Sequence, residues 1–456
     1  MDRYEDALAR QRRFFQTGAT LSLGFRLAAL KRLRDAMKRY EPQLLKALQE
    51  DLGKAPFEAY ATELGVVYEE ISEMRRNLRD WMRPRAVKSP LAQFPSRCAV
   101  FPEPLGVSLI ISPWNYPVQL TLAPLAAALA AGNCAVVKPS RYAARTALVL
   151  DAMLRAAFPP YLVTVFQGGA QVNTALLQLK FDHIFFTGSP AVGRVVMEAA
   201  ARHLTPVTLE LGGKSPCIVD ETANPALAAR RIAWGKLLNA GQTCVAPDYA
   251  LVHESVFPRF VEEYIRAVGR MYGEEPMKNP EYGKIINEKH MERLKALLSS
   301  GTPLLGGVYS DRERKISPTL LTDTGWDSPV MQEEIFGPIL PVLPYRNFSA
   351  MLEQLKDKPS PLALYIFSEN REHQRRALRE VRFGGGCVND VVVHLTNPRM
   401  PFGGVGESGM GAYHGKAGFL AFSHEKGILK KSARLDLPVR YAPYHGRLSL
   451  ARLLMR

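Results

Sequence analysis

Residues 107–140, VSLIISPWNYPVQLTLAPLAAALAAGNCAVVKPS, determine the fold class of this chain. A short apolar run rich in β-branched residues, VSLIIS, precedes an apolar helical stretch that ends near Ala131, and a second run, CAVVKPS, follows. Strand-like runs that alternate with helices predict βαβ units around a parallel sheet. Such sheets bind ligands at the carboxyl ends of their strands, so we expect the functional residues directly after these runs.

The same alternation continues along the chain. The runs VTVFQGG and DHIFFTGS each precede another helical stretch, and YALVHE, LALYIFS and GCVND form a second α/β pattern after Gly212. Before residue 84 the apolar positions follow helical spacing, whereas 84–105 holds five prolines and predicts extended chain. The sequence therefore predicts an α/β protein with two parallel sheets.

Composition excludes several classes of protein. The chain has 456 residues, 47% of them hydrophobic and 23% charged, which is ordinary for a globular protein of two or three domains. Five cysteines without a CxxC pair, and no HExxH motif, predict neither a disulfide framework nor a metal site. The formal charge of +15 is spread without a run of five like charges, so we expect no nucleic-acid partner. The chain begins without an apolar signal segment, which predicts a cytoplasmic protein.

Three residues are candidates for catalysis. Cys244 lies in the polar loop NAGQTCVAP, where a thiol can act as a nucleophile, although most buried free cysteines are inert. Glu210 ends the run VTLE before two glycines, where burial would raise its pKa towards that of a general base, although a solvated strand end is the simpler alternative. Asn115 stands between two prolines in SPWNYP, either as a fixed amide donor to an oxyanion or as a turn residue.

A glycine-containing turn follows the run DHIFFT. In Gly188-Ser-Pro-Ala-Val-Gly193 the strand-to-helix junction can place a phosphate on a helix N-terminus. Arg194 and Val195 stand where a nucleotide-hydrolysing P-loop has Lys and Ser or Thr, and this turn does not have the GxGxxG pattern. On its own this signal is weak.

Together the motifs identify a resemblance. PWNYP, VVKPS, FTGSPAVG, TLELGGKSP, NAGQTC, EEIFGP and PFGGVGESGMG, in this order, resemble the aldehyde dehydrogenase superfamily, most closely its class 3 branch, which acts on fatty and aromatic aldehydes. The resemblance implies two parallel-sheet α/β domains and a β bridging arm. It divides the chain into an NAD(P)-binding domain (1–84 and 106–210), a catalytic domain (211–418), a bridging and oligomerisation arm (85–105 and 419–435) and a basic C-terminal tail (436–456).

The resemblance also implies roles for the candidate residues. Cys244 corresponds to the nucleophile that forms a thiohemiacetal and then a thioester, Asn115 to the oxyanion amide, and Glu210 to the base that activates water. The cofactor, NAD or NADP, would contact Trp114, Lys138, Ser140, Arg141, Gly188, Ser189, Gly193, Leu211, Glu334 and Phe336.

Two positions depart from the family pattern. Arg141 replaces the glutamate of KPSE, a residue that accepts a ribose hydroxyl, and this predicts use of NADP as well as NAD. Glu407 replaces a small or amide residue in GVGxSGMG, with no functional account from the sequence.

The expected substrate is an apolar aldehyde, with Tyr68, Met74, Tyr116 and His394 in segments that line the pocket of class 3 relatives. The alternatives are a CoA-acylating dehydrogenase, which would need no water-activating base, and a nucleic-acid or membrane-surface binder without turnover.

A homodimer is expected from the bridging arm. The tail segment LSLARLLMR, with Arg447, Arg452 and Arg456, suggests a basic amphipathic helix that contacts a membrane, covers the substrate mouth or packs on a subunit.

Overall fold

The computed structural model of the protein describes residues 3–436 and 438–455. Its α-helices are α1 (Arg3–Gln16), α2 (Leu23–Leu52), α3 (Pro56–Ala59), α4 (Gly65–Trp81), α5 (Gln119–Ala131), α6 (Ala144–Ala157), α7 (Ala170–Leu177), α8 (Pro190–Ala201), α9 (Pro225–Leu237), α10 (Phe257–Tyr272), α11 (Glu288–Leu297), α12 (Pro329–Gln332), α13 (Phe348–Lys356), α14 (Arg371–Glu380), α15 (Gly415–Ala421) and α16 (Leu448–Leu454). Its strands are β1 (Arg85–Val87), β2 (Ser96–Pro104), β3 (Val107–Ile111), β4 (Cys134–Lys138), β5 (Val163–Val165), β6 (His183–Thr187), β7 (Val207–Glu210), β8 (Pro216–Val219), β9 (Tyr249–His253), β10 (Thr302–Leu305), β11 (Tyr309–Ser310), β12 (Lys315–Ile316), β13 (Thr319–Thr322), β14 (Ile339–Tyr345), β15 (Ala363–Phe367), β16 (Gly385–Val388), β17 (Gly409–Met410) and β18 (Ser423–Lys431).

The first parallel sheet contains the strands predicted from residues 107–140. Its order is β17-β7-β6-β3-β4-β5; strands β3 to β7 are parallel, and the short β17 is antiparallel at the edge. The chain runs outward from β3 to β4 and β5 and then returns to the other side of β3 as β6. This reversal creates a topological switch point between β3 and β6, where such sheets bind ligands.

The second sheet has the order β10-β13-β14-β9-β8-β15-β16, with β10 antiparallel and the other neighbours parallel. Helices α9 and α10 pack on each other and contact β8 and β9. All residues of β8 and β15 are buried, as expected for strands covered on both faces. The prediction of an α/β fold with two parallel sheets is therefore confirmed.

Helix α5 lies at the centre of the first α/β unit. Every residue from Gln119 to Ala131 is buried, because the helix is apolar on all sides and contacts α2, α4 and α15 as well as β3 and β4. Helix α2 instead buries one stripe, which includes Leu30, Leu33 and Met37. It ends at Gly53, whose left-handed φ of 69° suits a residue without Cβ.

A separate antiparallel sheet joins two distant parts of the chain. Its order is β1-β2-β18, and β18 pairs with β2 along its whole length from Ser423↔Pro104 to Lys431↔Ser96. The extended chain predicted for 84–105 is confirmed. The domain limits given above stay predictions; β17, at residues 409–410, pairs with Glu210 and Leu209 of the first sheet.

The C-terminal tail contains α16, which contacts the turn Leu91–Gln93. Leu448 and Leu453 on this helix are exposed, and Arg456 lies outside the described residues. In the described part of the chain, no helix combines the length and hydropathy that crossing a bilayer requires.

Candidate active site

A crevice of about 720 Å³ opens at the switch point of the first sheet. It is bounded by the segments that follow β3, β6 and β7 and by loops of the second sheet. Its lining includes Trp114, Asn115, Gly188, Ser189, Glu210, Leu211, Cys244, Glu334 and Phe336. Three of the predicted strand runs, those that form β3, β6 and β7, lead directly into its edge.

An unusual loop brings Cys244 to this crevice. After α9, Asn239, Ala240 and Gly241 all adopt positive φ values, of 52°, 51° and 76°. A Cβ at Gly241 would stand 2.2 Å from the carbonyl oxygen of Gly337, so this position accepts only glycine. The backbone of this loop is therefore strained, and it packs closely against the loop that carries Glu334 and Phe336.

The side chain of Gln242 fixes this loop from inside. Its Nε2 donates to the carbonyl oxygens of Asn239, at 2.9 Å, and Lys284, at 3.0 Å. Its Oε1 accepts a hydrogen bond from the backbone N–H of Ile286 at 3.0 Å. Because Gln242 is fully buried, these bonds face little competition from water and hold Cys244, two residues later, in place.

Asn115 is linked directly to the cysteine loop. Its Nδ2 donates to the carbonyl oxygen of Gln242 at 3.1 Å, and its own carbonyl oxygen accepts from Nδ2 of Asn239 at 2.8 Å. The next residue, Tyr116, pairs its hydroxyl with that of Thr243 at 2.7 Å. An amide has two N–H groups, so Asn115 retains one donor for a ligand.

Glu210 ends β7 with its backbone held on both sides. Its carbonyl oxygen accepts from the N–H of Gly188, and Gly409 of β17 pairs with it on the other edge. The side chain is 1% exposed, and neither carboxylate oxygen meets hydrogen-bond geometry with a partner among the described residues. Burial raises the pKa of Glu210 to about 7, an effect that the nearby Cys244 thiol and Thr187 hydroxyl partly offset. A carboxyl group of this pKa is suited to general-base catalysis near neutral pH.

Two carboxylates flank the thiol of Cys244. Burial, followed by the negative charges of Glu210 and Glu334, raises the pKa of Cys244 well above its ordinary value. Burial and the Asp248 carboxylate raise the pKa of Glu334 to about 8. The resting cysteine is therefore a neutral thiol, a form that resists oxidation.

Close packing shapes the crevice wall around Trp114, Leu211 and Phe336. The rings of Trp114 and Phe336 meet edge to face at 5.4 Å. A Cβ at Gly193 would lie 2.8 Å from Cδ2 of Leu211, so Gly193 does not line the crevice but lets Leu211 pack against α8. Ser189 caps α8, its hydroxyl accepting from the N–H of Val192 at 3.5 Å.

Comparison with known proteins identifies the family of this chain. The model of the aldehyde dehydrogenase family matches residues 2–428. The chain belongs to the aldehyde dehydrogenase family.

Individual relatives span nearly the whole chain. The 4,4'-diaponeurosporen-aldehyde dehydrogenase of Staphylococcus aureus is 47% identical over 95% of this chain and 95% of its own length. Human aldehyde dehydrogenase family 3 member B1 is 44% identical over 97% of this chain and 95% of its own. A solved structure described as the substrate-bound state of Staphylococcus aureus AldH superposes with a TM-score of 0.98 at 45% identity, covering all of both chains. This chain is an aldehyde dehydrogenase that oxidises aldehydes with NAD(P).

Three predicted cofactor contacts lie beside the crevice of this aldehyde dehydrogenase and not in its described lining. Lys138 is the last residue of β4, the neighbour of β3, and Ser140 and Arg141 follow this strand. Burial, with a smaller contribution from Arg141, lowers the pKa of Lys138 to about 8. The Ser140 hydroxyl accepts from the N–H of Tyr142 at 3.3 Å, a local turn contact.

The crevice also contains residues that sequence analysis missed. His290 and Arg293 of α11 line it, and the His290 ring lies 4.9 Å from that of Trp114. Burial, then the charge of Arg293, lowers the pKa of His290 to about 4, so this ring is neutral. Glu407, unexplained from the sequence, faces Arg194 across the mouth at 3.6 Å, and both side chains are exposed.

The four residues predicted near the substrate do not line this crevice. Met74 is buried in the core, Tyr68 bonds to Glu41, and His394 lies 3.6 Å from the thiol of Cys387. Tyr116 differs, since it contacts Thr243 beside the nucleophile candidate.

Among the residues that the structure describes, one group has side-chain spacing compatible with a metal ion, and it consists of Asp220, Glu221 and His373. Asp220 already accepts from Nδ1 of His373 at 2.9 Å and from Thr222, and the His373 ring stacks on Phe348. These contacts explain the cluster as a structural link between the ends of β8 and α14.

Proposed function

We propose that Cys244, Asn115 and Glu210 form the catalytic group of this aldehyde dehydrogenase. The observation that carries the proposal is the thiol of Cys244 beside the buried, unpartnered carboxylate of Glu210, with the Asn115 amide bonded to the same loop. All three residues line the crevice, which supports their assignment as the nucleophile, base and oxyanion donor that covalent acyl transfer requires.

The reaction then follows from the positions of these groups. The thiol of Cys244 releases its proton to solvent, and Sγ attacks the aldehyde carbon to give a thiohemiacetal, while Nδ2–H of Asn115 and N–H of Cys244 stabilise the oxygen. One such donor contributes about 3 kcal/mol to the transition state. Bound NAD(P) would supply the hydride acceptor for this carbon, and Cys244 would then carry the acyl group as a thioester. Glu210 removes a proton from water, which hydrolyses the thioester, releases the carboxylic acid and restores the thiol.

The crevice fits a dinucleotide. Gly188 and Ser189 precede the N-terminus of α8, where backbone N–H groups favour a pyrophosphate. A Cβ at Gly188 would stand 2.5 Å from the Phe186 ring, so the turn depends on glycine. Trp114, Leu211 and Phe336 would flank the nicotinamide, with Glu334 within reach of its ribose.

Glu210 favours water over CoA as the acyl acceptor. Transfer to a thiol needs no water-activating base, whereas the raised pKa of this buried carboxyl group suits one. We therefore propose that water hydrolyses the thioester and that the acyl group is not transferred to CoA.

We infer an apolar, long-chain aldehyde as the substrate. The support is the 47% identity with an enzyme named for 4,4'-diaponeurosporen-aldehyde and the apolar Leu120 in the crevice wall. Burial contributes about 0.8 kcal/mol per CH₂ group, so kcat/KM should rise up to roughly fourfold per added carbon. Initial rates with n-alkanals from propanal to hexadecanal, and with benzaldehyde as the aromatic control, measure this. A flat series would contradict the assignment.

Two cations at the end of β4 support use of NADP. The guanidinium of Arg141 lies over Gly169, where a Cβ would stand 2.8 Å from its Nη1, and 5.3 Å from the Tyr142 ring. Lys138 is close enough for Arg141 to lower its pKa. Among the described residues neither has a carboxylate partner, so an anion such as a ribose 2′-phosphate would compensate both charges.

We expect the wild-type enzyme to use both cofactors and Arg141→Glu to shift preference towards NAD. Carboxylate repulsion of the 2′-phosphate should change the ratio of kcat/KM for NADP and NAD by tenfold or more, about 1.4 kcal/mol. Arg145→Glu is the control for charge alone, since Arg145 is exposed and pairs with Glu50. If wild type does not use NADP, or both variants shift the ratio equally, Arg141 does not contact the cofactor.

Homodimer formation through the β1-β2-β18 sheet, membrane or subunit contact by the tail, and a cytoplasmic location stay predictions. Exposed Phe101, Ile428 and Leu429 on that sheet support an interface there.

A further inference from the structure

We propose that Lys54 is a positioning residue that holds the Asn115 amide in its productive place. Lys54 follows the end of α2, is fully buried and does not line the crevice. The proposal rests on the oxyanion role proposed for Asn115, and the test below separates the two.

The ammonium group of Lys54 makes three contacts. Its Nζ donates to Oε1 of Glu63 at 2.6 Å and to the carbonyl oxygen of Asn115 at 2.9 Å. It also lies 3.8 Å from the centre of the Tyr116 ring. A buried ammonium that is both paired and hydrogen-bonded is locked in one geometry, so it fixes the backbone of Asn115 and the ring of Tyr116 together.

Glu63 extends this support to the start of α5. Its second carboxylate oxygen accepts from the N–H groups of Val118, at 2.8 Å, and Gln119, at 3.1 Å. These are unpaired N–H groups at a helix N-terminus, where a negative charge is favoured. The Lys54–Glu63 pair therefore holds the segment from Asn115 to Gln119 at both ends.

The same network reaches the cysteine loop. The carbonyl oxygen of Asn115 is shared by Lys54 and Nδ2 of Asn239, and the backbone N–H of Asn239 donates to Glu58 at 2.7 Å. With Tyr116 bonded to Thr243, the oxyanion amide and the cysteine loop are held by one set of buried contacts.

This placement matters because oxyanion stabilisation depends on where the donor points. One N–H of Asn115 is used by Gln242, so a small backbone shift at Asn115 would misdirect the remaining donor. Loss of the Lys54 contact should slow formation of the thioester and leave cofactor affinity unchanged.

The experiment is a double-mutant cycle on the rate constant of the pre-steady-state burst of reduced cofactor. Lys54→Met should lower it about tenfold or more in the wild-type background. In the Asn115→Ala background the same change should lower it by less than about threefold, because the donor is already lost. Equal effects in both backgrounds would overturn the proposal, since a general structural defect is independent of Asn115.

Two further variants distinguish loss of positioning from a folding defect. Lys54→Met with Glu63→Gln removes both buried charges and should show the same slow burst, with an unchanged dissociation constant for the cofactor. Recovery of the wild-type rate in this variant would assign the defect to an unpaired Glu63 and refute positioning. Lys46→Met, an exposed lysine on α2, should match wild type. If Asn115→Ala itself leaves the burst unchanged, the oxyanion role fails; if it slows the burst and the Lys54 variants do not, only the positioning role fails.

Discussion

The Cys244→Ala variant is expected to lose aldehyde oxidation while it still binds NAD(P). Without the thiol no thiohemiacetal forms, and removal of a nucleophile lowers turnover by at least about 10⁴-fold. Cofactor binding persists because the predicted contacts at Gly188, Ser189 and Glu334 are untouched. Steady-state reduction of NAD(P) with a saturating aldehyde measures the first effect, and quenching of protein fluorescence by the reduced cofactor measures the second.

Cys98→Ala is the matched control for this variant. Cys98 lies in β2, accepts from the hydroxyl of Ser89 and is remote from the crevice lining. Its replacement should leave turnover within about twofold of wild type. Residual activity above a tenth of wild type in Cys244→Ala would remove Cys244 from the nucleophile role.

The parallel sheets were predictable because local chemistry encodes them. β-branched runs such as VSLII and HIFFT prefer extended chain, and the fully apolar stretch at 119–131 has to be enclosed on every side. Since strand ends in a parallel sheet converge, residues after the runs were expected to meet. Asn115, Gly188 and Glu210 do so.

Contacts between elements that are distant in sequence were not predictable. His290 and Arg293 enter the crevice from α11, and nothing in the spacing of this helix signals it. In the sequence, Lys54 looks like an ordinary polar residue after a helix. Only the fold shows that its ammonium group is buried against Asn115. Such residues act through tertiary contacts, for which a single sequence carries no periodic signal.

The properties of Glu210 depend both on local sequence and on tertiary contacts. The sequence predicted a carboxylate at a buried strand end, but its pKa depends on how completely the fold removes water from it. The structure buries both oxygens without hydrogen-bond geometry, and this burial raises the pKa to about 7, an effect that the nearby Cys244 thiol partly offsets. Deacylation should therefore speed up as the pH rises through about 7, because the carboxyl group acts as a base only after it loses its proton.

We expect Glu210→Gln to stall the enzyme after hydride transfer. The amide keeps the shape of the side chain but cannot take a proton from water, so the thioester accumulates. Rapid mixing should show a burst of about one reduced cofactor per site, followed by turnover that is about 100-fold or more slower than wild type. The rise of the steady-state rate with pH near 7 should disappear in the same variant.

Glu198→Gln separates this effect from a general loss of charge, because Glu198 is exposed on α8 and outside the crevice lining. It should keep both the wild-type rate and the wild-type pH profile.

Added CoA tests the acyl-enzyme directly. If this thiol acceptor restores rapid turnover to Glu210→Gln and yields acyl-CoA, the acyl-enzyme is intact and only water activation has been lost. If steady-state turnover of Glu210→Gln equals that of wild type, another group activates the water. If the pH profile is unchanged while the rate falls, the group that titrates near pH 7 is not Glu210, and its buried carboxylate serves the crevice in some way other than as the base.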